Sequence, residues 1–236
     1  MFENFISDKD NLYKEIVIAR YSENLEWLNE DPFNKYPIIC YNSGDNNNFY
    51  KTNNMQITQI DNIGKEAYVY LYHIVNNYDK LADITIFLPG SSNTIHKINY
   101  AKHLVKETEK YNNTVFISKK IEDVQQKLYD FQLDSWCSTS DENKIKNNKC
   151  KLNLANIRPF GLWYDSFFKN VKINYVNYYG LLSIKKKHII QKPKEFYEKL
   201  LNEFIQPNDE VAHYFERCWE AIFYPIDDAV IIDFHK

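Results

Sequence analysis

Three stretches of this chain carry residue types that can do chemistry. The first is Arg20-Tyr21-Ser22-Glu23, which follows the apolar run Glu15-Ile16-Val17-Ile18-Ala19. A guanidinium fork, a phenol and a carboxylate at the end of a buried strand can hold a polar ligand. The second begins at Asp61-Asn62, beside Gly64. At the period of an α-helix, Asn62, Glu66 and His73 form a polar stripe opposite Ile63, Ala67, Leu71, Ile74 and Tyr78. Free N–H groups at such a helix start can bind phosphate or carboxylate; the stripe is equally the solvated face of a surface helix. The third is 208–223, with Asn208 as its cap. There Glu210, His213, Arg217 and Glu220 share one side, against Val211, Phe215, Trp219, Ile222 and Phe223. That side offers a general base and a phosphate anchor, or a salt-bridge ladder facing solvent.

Composition links these stretches. Of 29 basic residues, only Arg20, Arg158 and Arg217 are arginines. A lysine-rich chain keeps arginine where a planar, bidentate fork is needed. The expectation is that at least two of the three meet on one anionic ligand, with Arg20 facing Arg217 across a shared crevice. The alternative is structural: forks that brace buried carboxylates and carbonyls.

The elements that must position these residues read as alternating strands and helices. Strands are expected at 15–19, 37–41, 55–60, 84–88, 115–117 and 229–232. Helices are expected at 24–30, 62–78, 99–110, 121–132, 194–204 and 208–223. This alternation is the signature of an α/β layer with a mainly parallel sheet. In such a sheet, ligands sit outside the carboxyl ends of the strands. Three ends qualify: Arg20-Tyr21-Ser22-Glu23, Asn42-Ser43-Gly44 and Pro89-Gly90-Ser91-Ser92. The polar stretch 138–151 reads as a loop. The whole of 1–236 is expected to form a single domain. Residues 14–120 would be its first half, and 121–236 its second, with a helical C-terminal part.

Several chemistries lack their motifs. There is no GxGxxG and no GxxxxGK[ST], no HExxH and no GxSxG elbow. Asp8-Lys9-Asp10 precedes the first strand and Asp227-Asp228 flanks the last, so neither stands at a strand end. A net charge of -3 argues against a nucleic-acid partner. No apolar run reaches the roughly 18 residues of a membrane span, and Met1-Phe2-Glu3-Asn4 does not open a signal peptide. Cys40, Cys137, Cys150 and Cys218 are scattered, as free thiols in a reducing compartment would be. The expected location is cytoplasmic. The 19 tyrosines suit amphipathic, sugar-binding pockets; an AT-rich genome is the more common reason for such a count.

Three segments together resemble a known family. They are Glu15 to Tyr21 with Glu23, Leu25, Trp27 and Leu28; Asn62-Ile63-Gly64-Lys65-Glu66-Ala67 with its continuation to Leu88; and Glu210-Val211-Ala212-His213-Tyr214-Phe215-Glu216-Arg217-Cys218-Trp219-Glu220. The family is an uncharacterised domain of unknown function found in fungi, bacteria and large DNA viruses. It looks like a remote relative of the nucleotide-sugar glycosyltransferases with a single Rossmann-like domain, the A-type fold. The resemblance implies that Ala19, Arg20, Tyr21 and Glu23 touch the nucleotide, and that Asn62, Gly64, Lys65 and Glu66 lie near the donor. It implies Glu210, His213 and Glu216 as candidate bases and Arg217 near the diphosphate. Trp163 and Tyr164 would stack on a sugar, with Arg158 also on the substrate side. A viral member would work in the host cytoplasm or the virion.

Such transferases usually hold a divalent metal, Mn or Mg, on an Asp-x-Asp after a central strand. Here that segment is Pro89-Gly90-Ser91-Ser92. The family often has Arg, His and Gln where this chain has Lys65, Tyr68 and Pro89. The resemblance implies transfer of a sugar from a UDP- or GDP-linked donor to a glycan or protein hydroxyl. The alternatives are a non-catalytic carbohydrate-binding or assembly protein of the same fold, and a hydrolase of a phosphorylated or glycosidic substrate.

Overall fold

A computed structural model describes residues 12–121, 125–137 and 151–233. The strands are β1 Lys14–Arg20, β2 Ile38–Asn42, β3 Met55–Gln59, β4 Ile84–Pro89, β5 Val115–Lys120, β6 Tyr175–Val176, β7 Leu182–Lys185 and β8 Val230–Asp233. They form one sheet in the order β3-β2-β1-β4-β7-β5-β6, with β8 paired to β5. Strands β3, β2, β1 and β4 run parallel, and so do β5 and β8. Only β7 and β6 run against their neighbours. The chain is thus a single α/β domain with a mainly parallel central sheet. Its first strand lies inside the sheet, and the chain leaves it first to β2 and later to β4. That reversal is a topological switch point.

Central strands buried on both faces should be mainly apolar: β1 carries Ile16, Val17 and Ile18 and β4 carries Ile84, Ile86, Phe87 and Leu88, with Glu15 and Thr85 as buried polar exceptions. Alternation along each strand sends successive side chains to opposite faces. Ile16, Ile18, Ile86, Leu88, Val115 and Ile117 fill one core with Trp27, Leu28 and Phe33. Helix α2 (Lys97–Tyr111) closes that face with Ala101, Leu104 and Val105. Val17, Phe87 and Phe116 point the other way. They meet α1 (Lys65–Asn77), α3 (Gln125–Tyr129), α4 (Phe160–Phe167), α5 (Lys186–Ile190), α6 (Lys194–Leu201), α7 (Val211–Phe215) and α8 (Trp219–Ile222).

Three sequence expectations change. His73 is fully buried, not on a solvated stripe. Its Nε2 lies 3.2 Å from the Glu15 carboxylate and its Nδ1 3.1 Å from the Tyr41 hydroxyl. Within that stripe it is His73 that faces the sheet, where Glu15 shares the side of Val17. The helix expected over 208–223 is two helices, broken at Glu216 to Cys218. The backbone N–H of Asn177 donates to the Glu216 carbonyl at 2.7 Å, so that carbonyl serves the β6–β7 connection instead of the helix. Asn208 does not cap: Glu210 holds the cap position of α7, and the Asn208 amide donates to the Lys151 carbonyl. Helix α4 and strand β7 belong to stretches the pattern left unassigned. The expectations at Asp8-Lys9-Asp10, and at 138–150 including Cys150, lie outside the described residues.

Candidate functional site

The carboxyl ends of the parallel strands stand level. Ala19 is opposite Tyr41 and Pro89, and Arg20 is opposite Asn42. The turn after β2 packs tightly on the end of β1. A Cβ on Gly44 would lie 1.8 Å from the Tyr21 carbonyl oxygen, so only glycine fits. The Ser43 N–H and hydroxyl both donate to the Arg20 carbonyl, at 2.8 and 3.0 Å. Glu23 folds back to accept from the N–H groups of Tyr21 and Ser22 at 2.7 and 3.1 Å. Gly90 lets the turn after β4 approach that carboxylate: a Cβ there would be 2.8 Å from it.

Arg20 is 1% exposed. It donates to the carbonyls of Glu23 and Asn46 and to the Asn42 side chain, at 2.9, 2.8 and 2.5 Å. Its guanidinium lies 3.7 Å from the Phe49 ring centroid. Burial lowers its pKa. The group therefore clamps the 42–49 loop to β1. One nitrogen, Nη2, is buried without a partner.

Helix α1 starts abruptly at the same level. Gly64 and Lys65 both have φ of 56°, the left-handed region that costs a non-glycine residue roughly 1 kcal/mol. A Cβ on Gly64 would meet the Phe204 ring at 2.2 Å. The turn aims the Lys65 side chain inward. Its ammonium sits 3.3 Å from the Trp136 ring centroid and 3.2 Å from His213 Nε2. Burial lowers the Lys65 pKa. Glu66 follows on the wall of the same space.

From the other side, α7 supplies His213, which is 7% exposed. Its ring packs on Trp136 with centroids 5.1 Å apart. Its Nδ1 is 3.8 Å from the Glu216 carboxylate, at a helix end that the 216–218 break holds toward the cleft. With Lys65 donating to Nε2, the Nδ1 proton points toward Glu216.

Of the sequence-predicted residues, Ala19, Arg20, Tyr21, Glu23, Asn62, Lys65, Glu66, His213 and Glu216 line one cleft of about 410 Å3. Gly64 caps the helix that borders it. Lys97, Trp136 and Tyr178 also line it; sequence reasoning missed them. Lys97 is one lysine among many, and Trp136 and Tyr178 sit in segments without periodicity, so nothing in the pattern marks them.

The remaining predicted residues lie elsewhere. Glu210 is fully buried. It accepts from the N–H groups of Leu133 and Ala155 at 2.8 and 3.0 Å and lies 2.8 Å from Arg158. A carboxylate so saturated is no free base. It pins the segment that carries Trp136. Arg158 is correspondingly a brace that also donates to the Leu133 carbonyl at 2.7 Å. Trp163 and Tyr164 are core residues, 0% and 1% exposed, and cannot stack on a sugar. The Trp163 indole donates to Glu203 at 2.9 Å. Arg217 does not face Arg20 across this cleft. It donates to the His213 carbonyl at 2.6 Å, stacks over Phe131 and lines a neighbouring groove. The bracing alternative describes the three arginines best.

Cys40 and Cys218 are free and buried. Burial pushes the Cys40 thiol up to about 12, so it is inert. Cys137 is disulfide-bonded, against the expectation of four free thiols. Asp228, one of the acidic pair near the C-terminus, pairs with Lys187 and with His188. Among the described residues no three His, Cys, Asp or Glu side chains gather as metal ligands, and no helix is long and apolar enough to cross a membrane.

A mainly parallel sheet with a polar cleft at its switch point defines the class: a Rossmann-like α/β protein. The chain belongs to the DUF3431 family, proteins of unknown function, whose pattern matches residues 16–230. This agrees with the resemblance to an uncharacterised family. No curated protein matches the sequence. Among solved structures, the chain is similar to 4-diphosphocytidyl-2C-methyl-D-erythritol synthase from Anaerococcus prevotii, with 12% identity, a TM-score of 0.42, and coverage of 95% of this chain and 87% of that one. No residue role passes from that protein to this one.

Proposed function

We propose that this protein transfers a sugar from a UDP- or GDP-linked donor to a hydroxyl of a glycan or protein. One observation carries the reading. The end of β1, the start of α1 and the end of α7, far apart in sequence, put cations and a base into a single cleft at the switch point. Lys65 and Lys97 meet the negative charge that develops on the leaving diphosphate. His213 is the base. Once an anionic donor draws the Lys65 ammonium away, Nε2 is open to an acceptor hydroxyl. The acceptor oxygen bonds to the anomeric carbon, the bond to the diphosphate oxygen breaks, and the hydroxyl proton passes to Nε2. Glu216 stabilises the resulting imidazolium. Among the described residues none form a protein cage for a divalent ion, and the turn after β4 lacks an acidic pair; the steps given are those of this chain's own side chains.

Calorimetry with a panel of UDP- and GDP-linked sugars, with and without manganese, tests this. Binding of at least one donor, lost in Lys65→Met, is expected. No binding to any of them overturns the reading. Donor binding with no turnover on any acceptor favours the non-catalytic protein of the same fold.

A further inference from the structure

We infer that the groove beside the cleft is a second ligand site, for a phosphomonoester carried on an apolar or aromatic group. The groove encloses about 590 Å3 and, among the described residues, is lined by Lys119, Lys120, Lys127 and Arg217 and by the acid Asp233, with Arg217 also 3.7 Å from Glu216. A protein of net charge -3 has concentrated four cations there. Among the described residues, none of the three lysines has a side-chain partner; Lys119, Lys120 and Lys127 are exposed. Arg217 is largely withdrawn from water, its side chain 12% exposed, and burial lowers its pKa. Its guanidinium lies 3.2 Å from the Phe131 ring centroid. The floor is apolar: Leu128, Phe131 and Val176. A dianionic phosphate suits the cationic rim, and the floor asks for an apolar body attached to it.

The groove is continuous with the chemistry. Tyr178 lines both cavities. Arg217 joins them through its bond to the His213 carbonyl, with its guanidinium 5.5 Å from the Tyr178 ring centroid. A molecule seated in the groove reaches past Tyr178 toward His213 and Glu216. On the transferase reading, on which this assignment of role rests, the groove seats the acceptor, and the acceptor is an anionic, partly apolar molecule.

Calorimetry with 2-naphthyl phosphate tests the site without any donor present. The ester is expected to bind on the order of ten-fold more tightly than either 2-naphthol or inorganic phosphate, because only it meets both rim and floor. The exposed triple variant Lys119→Gln, Lys120→Gln, Lys127→Gln should lose about ten-fold in affinity, and added salt should weaken the wild type. Absence of binding, equal affinity in the variant, or inorganic phosphate binding as well as the ester overturns the inference. Pelleting of the protein with phosphatidylcholine vesicles containing phosphatidic acid, lost in the variant, would assign the phosphate to a membrane lipid and overturn the soluble ligand. Donor binding by the same variant should be unchanged. If no donor binds while the ester still does, the transferase reading fails and the groove site stands.

Discussion

Lys65 concentrates the residue-scale argument, because its backbone is strained while its side chain is engaged. Glycine relieves a positive φ at no steric cost. Lys65→Gly is therefore expected to be more stable than Lys65→Met by about 1 kcal/mol in urea unfolding, while both lose donor binding. Equal stability of the two would remove the strain from the account. Glu210 makes the complementary case. Glu210→Ala leaves the Leu133 and Ala155 N–H groups without their acceptor, while Arg158 keeps water and Asp134, so it should cost about 1–3 kcal/mol. A catalytic base would show the reverse: lost turnover with stability kept. The residue types around the cleft were readable in advance, and so was the scarcity of arginine. What the arginines do was not readable. A fork that grips a phosphate and a fork that grips the Asn46 carbonyl or Glu210 leave the same mark on composition.

Between elements, a buried histidine and a half-buried carboxylate set opposite pH limits. His188 ties three segments together. Its Nδ1 lies 2.6 Å from the Thr114 hydroxyl at the start of β5, and its Nε2 lies 3.0 Å from Asp228 before β8. Burial lowers its pKa, more than Asp228 raises it. The unfolded chain then takes up the proton more readily than the folded one. Stability is full above the unfolded value of about 6.5 and declines as pH falls through it. Glu220, on α8, behaves oppositely. Burial raises its pKa to about 7, with a hydrogen bond from Ser118 pulling it down. Its contribution is present at low pH and is lost as pH rises from about 4.5 through 7. Thermal melts of Glu220→Gln should show less loss of Tm between pH 5 and 8 than the parent protein, by roughly 2–3 kcal/mol of stability. An unchanged profile would show that Glu220 ionises freely. Neither group could be placed from sequence. Glu220 falls beyond the break at 216–218, where a continuous helical period stops describing which side is which.

At the scale of the whole molecule, one sheet carries both cores. Trp27 belongs to one face, and Trp163 and Trp219 to the other. Strands from both halves of the chain interleave in the sheet, with β7 seated between β4 and β5. Neither core can lose its partner face and persist. Single-tryptophan variants retaining Trp27 or Trp163 should therefore report coincident urea transitions. Separate midpoints would instead divide the chain near residue 120.

The sequence by itself determined the class of fold and one end of the site. Short β-branched runs alternating with helical periods leave few ways to bury their apolar faces, and a parallel sheet exposes its strand ends to ligand. The apolar pattern located β1, β2, β4 and β5 closely, because burial on both faces demands it. Tertiary structure decided the rest. It turned His73 inward onto Glu15, broke the last long helix so that Glu216 meets the cleft and Arg217 the groove, and sank Trp163 and Tyr164 into the core. It also brought Trp136 over Lys65. Those outcomes depend on which surface each helix meets, and a helical period specifies only that two sides differ, not what covers them.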